Sequence, residues 1–163
     1  METIAVYFEP VAKSYGVHAV TGMVMAQVRL DLEAAAPGGL PTPAPAPPAG
    51  KFAFVMLQCE PGEAAVLSAV ARPEEISAIL PAFMPFVEAG GPRPSLLPVE
   101  MVLFQGPHFY ERYGIAAAAL DKLREKEVGL LLAGFSGSMA YLVVPEGAAE
   151  SAKAALAECF HLP

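Results

Sequence analysis

Basic residues are scarce in this chain: ten Lys and Arg stand against seventeen Asp and Glu over 163 residues, a formal net charge of −7. The cations are scattered and form no cluster. Phosphate backbones and anionic lipid surfaces are both held by concentrated positive charge, so the composition argues against nucleic acid and membranes as partners. Cysteine is nearly absent. Cys59 and Cys159 lie far apart, which points to two free, buried thiols in a reducing compartment rather than a disulfide. No apolar run approaches the ~18 residues that suggest a membrane span. Met1-Glu2-Thr3-Ile4 has neither a basic start nor a cleavable apolar stretch, so a cytoplasmic location is expected.

The usual signatures of catalysis are missing as well. There is no glycine-rich loop ending in Lys-Ser or Lys-Thr, and no dinucleotide fingerprint. Gly134-Phe135-Ser136-Gly137-Ser138 lacks the second glycine of a nucleophile elbow, which belongs two residues after the serine, and reads as a turn between strands. His18, His108 and His161 sit on different elements, without the spacing of metal ligands. The carboxylate pairs Glu74/Glu75 and Glu125/Glu127 fall at a helix start and a helix end and read as solvated faces. No catalytic residue, metal or cofactor is expected.

What the chain has in abundance is apolar surface. Hydrophobic residues make up 55% and charged residues 17%. Such a balance implies a well-filled core and a face that a partner covers, so a homodimer or higher oligomer is expected.

Proline and glycine divide the chain. Residues 34–50 hold Pro37, Gly38, Gly39, Pro41, Pro43, Pro45, Pro47 and Pro48, and read as an exposed, partly extended loop. A second break falls at Gly90-Gly91-Pro92-Arg93-Pro94. Between the breaks, Ile4 to Phe8 reads as a short strand. Val24, Ala26, Val28, Leu30 and Leu32 alternate with Met25, Gln27, Arg29 and Asp31, the pattern of a strand with one wet face. Phe52 to Cys59 is apolar on both faces and is expected in the middle of a sheet. Ala64 to Ala71 follows, then a helix opened by Pro73, Glu74 and Glu75, with Ile76, Ile79, Leu80 and Phe83 as its buried stripe and Pro81 ending or kinking it. In the second half, strands are expected at Val99–Phe104, Val128–Phe135 and Met139–Val144. Helices are expected over Ile115–Lys126 and in a last segment where Ala152, Ala155, Leu156, Cys159 and Phe160 share a face. The order strand, helix, strand, strand, helix lacks a final edge strand to be a ferredoxin-like unit.

The segment from Val99 to Phe160 resembles the second ACT unit of aspartate kinases. That family has a strand, a loop of the form Gly-x-Gly-Met-x-x-x-Pro-Gly-Val-Ala, a helix, a strand carrying Ser-Thr-Ser, a Val-rich strand and a closing helix. Here the loop reads Gly106-Pro107-His108-Phe109-Tyr110-Glu111-Arg112-Tyr113-Gly114-Ile115-Ala116. The later parts read Phe135-Ser136-Gly137-Ser138, Tyr141-Leu142-Val143-Val144 and Ala154 to Phe160. The two patterns align without a gap over a little more than a third of the chain.

The resemblance implies an α/β (α+β) fold of two ferredoxin-like ACT units with antiparallel sheets and helices packed on one side. These would be a degenerate unit over 1–93 and an ACT unit over 94–163. It implies a non-catalytic regulatory module with an amino acid as effector. Carried over by position, the binding residues are Gln105, Gly106, His108, Tyr113, Gly114, Ile115, Ala116, Gly129 and Ser136. The physical basis is a loop running into a helix start, whose free N–H groups favour a carboxylate. The family's loop proline is Tyr113 here and its Asn after the helix is Gly129. A structural dimerisation module without a ligand therefore stays open as an alternative. In that family one ACT unit is inserted in the other, so the N-terminal strand is placed to complete a unit that lacks its last strand.

Overall fold

The structure, a computed structural model, describes residues 12–31, 52–59, 65–84, 87, 91–107, 109 and 113–160. The expected strand at Ile4–Phe8 and the Pro-rich loop 34–50 lie outside the described residues. The elements run β1 (Gly16–Leu30), β2 (Phe54–Gln58), β3 (Ala65–Ala71), α1 (Pro73–Phe83), β4 (Ser95–Gln105), α2 (Ile115–Glu125), β5 (Leu132–Ser136), β6 (Met139–Pro145) and α3 (Ala149–Cys159). No helix among the described residues is long and apolar enough to cross a membrane.

Two compact units are interleaved in sequence. One contains residues 1–20 and 100–163, the other residues 21–99. In the second of these, β3 pairs antiparallel with β2 on one side and with β1 on the other, in registers that set Leu67 opposite Leu57 and Val28. Leu67, Ala69 and Ala71 of β3 face the same way. Ala69 and Ala71 pack with Ala26 and Ile76, and Leu67 with Val28, Leu30, Leu80 and Phe83. The helix α1 is opened by Pro73 at its first turn, where a missing N–H loses nothing. It runs through Pro81 to Phe83, because a proline this close to the last turn removes one backbone bond without stopping the chain.

Two expectations for this unit fail. Phe52–Cys59 is not central: among the described strands β2 is the terminal one, beyond β3, with Val55 and Leu57 exposed. An apolar run without alternation does not show which face is covered, and the buried central strand is β3. The face of β1 expected to be wet is closed at one end, where Met23 and Met25 are buried and Gln27 donates to the Ser68 hydroxyl at 3.2 Å, and open at Arg29.

The other unit is built on β4, β6 and β5, with β6 between its neighbours. Ala140, Leu142 and Val144 of β6 and Val102 and Phe104 of β4 make the floor on which α2 and α3 lie. The helix α2 contributes Ile115, Ala119 and Leu123, spaced four apart, and α3 contributes Ala149, Ala152, Ala155 and Leu156. Small alanines let both helices sit close to the strands and to each other. The N-terminal segment joins this unit. The Tyr15 N–H and the hydroxyl of buried Ser14 both donate to the Gln105 carbonyl at 2.8 Å, and Ala12, Val17 and Ala19 pack on the same core.

Both cysteines are free, but Cys59 is exposed rather than buried, since β2 is an edge. Cys159 is half-buried on α3, and burial pushes its thiol pKa up.

Candidate functional site

The chain turns into α2 through Gly114, whose φ of 86° lies in the left-handed region that a residue with a Cβ enters at a cost. The first intrahelical bond runs from the Ala118 N–H to the Gly114 carbonyl at 2.8 Å. The N–H groups of Ile115, Ala116 and Ala117 precede it, and glycine offers no side chain to cap them. A cavity of about 250 Å³ opens beside this helix start, lined by Phe109, Tyr113, Gly114, Ile115, Ala116, Phe135, Gly137 and Met139.

The far wall is the β5–β6 hairpin. Ser136 pairs with Met139 across the two-residue turn Gly137-Ser138, and Gly137 takes a φ of 57°. Such a turn suits the twist of the two strands and needs a glycine. It leaves Phe135 and Met139 beside the helix start. The Gly106 N–H donates to the Ser138 carbonyl at 3.2 Å, which ties the loop after β4 to the same turn.

Four of the nine expected residues line the cavity: Tyr113, Gly114, Ile115 and Ala116. Ser136 is exposed in the hairpin next to Phe135 but is not part of the lining. Gln105 is exposed, with its carbonyl engaged by the N-terminal segment. Gly106 is buried, and a Cβ there would collide with the Phe109 ring and the Lys13 carbonyl, so it packs against a lining residue without lining the cavity itself. Gly129 precedes the opposite end of β5, against the Pro145 ring, roughly 20 Å along the chain from Ser136 at ~3.3 Å per residue. His108 lies outside the described residues.

No protein-family model matches the sequence, and no curated protein matches it. Solved structures do. The ligand-free regulatory subunit of aspartate kinase from Thermus thermophilus superposes with a TM-score of 0.69 at 12% identity, over 93% of this chain and 99% of that one. This chain has the fold of an aspartate kinase regulatory subunit. Aspartate kinase from Synechocystis matches with a TM-score of 0.72 at 19% identity, over 96% of this chain but 28% of the enzyme. A C-terminal regulatory domain ascribed to the aspartate kinase of Porphyromonas gingivalis W83 matches with a TM-score of 0.59 at 12% identity, over 90% of this chain and 96% of that one.

Within this regulatory-subunit fold, the sequence did not point to Phe109, Phe135, Gly137 or Met139 as cavity residues. The signal available was the pair of apolar residues flanking Ser136-Gly137-Ser138, which a reading of that segment as a bare turn passes over. Among the described residues no group of three His, Cys, Asp or Glu side chains could hold a metal. His18 is exposed.

Proposed function

We propose that the chain is a non-catalytic regulatory module made of two ferredoxin-like ACT units. In this reading it binds a small carboxylate-bearing effector, an amino acid by its resemblance, at the start of α2, and acts through a homodimer or higher oligomer. The observation that carries the reading is the charge at its helix starts. The first turn of α1 contains Glu74 and Glu75, and the Glu75 carboxylate accepts the Arg72 N–H at 3.2 Å. The start of α3 is taken by Glu100, whose carboxylate accepts the Ala149 N–H at 2.8 Å, with Glu150 in the first turn. The first turn of α2 has no acidic residue and no side-chain cap, and it opens into the cavity. A carboxylate at the positive end of a helix is favoured, and here none of the described residues is seen to supply one. The likeness of the fold to aspartate kinase regulatory subunits supports the same reading.

One observation favours a second reading, a dimerisation module without a ligand. The strand β2, last in the order of the described strands, exposes Val55 at 47% and Leu57 at 39%, and an apolar strand at the end of a sheet invites another chain.

A thermal-shift series over the twenty amino acids separates the two. A ligand at a hundred times its dissociation constant stabilises the folded state by ~2.7 kcal/mol. The effector reading expects such a shift from at least one amino acid, and its loss in Gly114→Val. No shift from any of them, with a stable dimer in sedimentation, would leave the second reading.

A further inference from the structure

We draw no further inference here: the strongest candidate, the apolar surface patch of β2 on the α1 side of its sheet, where Val55 and Leu57 are exposed opposite Ala69 and Leu67, carries nothing because nothing in the structure shows what covers it.

Discussion

The carboxylate of Glu100 on β4 accepts a hydrogen bond from the backbone N–H of Ala149 at 2.8 Å, so a strand caps a helix that begins 49 residues later. The residue before that helix, Ala148, has no side chain able to do this. The contact fixes where α3 starts on its sheet and places a negative charge at its positive end. Replacing Glu100 by Ala should destabilise the protein by ~0.5–2 kcal/mol, the range of lost helix caps, and Glu100→Gln by less. Urea unfolding measures both. Equal midpoints for all three proteins would show that the cap is not formed in solution.

Gly106 has almost no room for a side chain. Its N–H reaches the hairpin turn, and a side chain would meet the Phe109 ring and the Lys13 carbonyl. Backbone on one side and a packed ring on the other leave little freedom to yield. Gly106→Ala should therefore cost ~1–3 kcal/mol, as overpacking does. Gly114→Ala meets open space and should cost less, through its left-handed backbone alone. A reversed order in denaturation experiments would contradict this account of the two glycines.

Helices α2 and α3 are linked on the surface by Glu158. It pairs with Lys126 and, at 3.6 Å, with Lys122, which also bonds Glu125 at 2.7 Å. The hydrogen bond from Lys126 is the main cause holding the Glu158 carboxyl below the usual carboxylate range, against a smaller opposing effect of burial. A lowered carboxyl contributes stability above its ordinary range and loses it as the pH falls through its lowered value. Lys122 is raised, first by its bond to Glu125, so its share persists below the ordinary lysine range and disappears as the pH rises through the raised value. The pairs are exposed and screened, so the effect is small. Melting curves of the wild type and Glu158→Gln should differ at neutral pH and converge in acid, and high salt should shrink the gap. A gap that persists unchanged into acid would rule the ion pairs out as its cause.

Much of this was legible in the chain. Ile115, Ala119 and Leu123 recur at helical spacing, with Gly114 before them, and α2 formed where the pattern placed it. Val24, Ala26, Val28 and Leu30 alternate, and β1 carries them. What the chain hides is which surfaces are covered. Phe54 to Leu57 has the apolar content of a central strand and lies at the end of the described strand order, because nothing in four residues records how many neighbours a strand has. Tyr15 joins Gln105 over ninety positions, and no local pattern records such a pairing. At the site, the helix start could be read from Gly114 and Ile115. The wall opposite could not, because Phe135 and Met139 reach the cavity through the pairing of β5 with β6.

The exposed apolar edge at Val55 and Leu57 leads to an expectation about assembly. Sedimentation at micromolar concentration should give a dimer or larger species, and Val55→Lys with Leu57→Lys should shift it toward monomer, since charge on an edge strand opposes pairing. A wild-type monomer at high micromolar concentration would remove oligomerisation from the proposed mechanism.

The central claim is that a carboxylate is held by the first turn of α2. Amide chemical shifts recorded by nuclear magnetic resonance during titration with the amino acid that gives the largest thermal shift test it most directly, because each N–H reports for itself. The account predicts that the largest shifts fall on Ile115, Ala116 and Ala117, with Phe135 and Gly137 following, and that the resonances at the start of α1 stay in place. Largest shifts at Glu74 and Glu75, with the α2 amides unmoved at saturation, would contradict it.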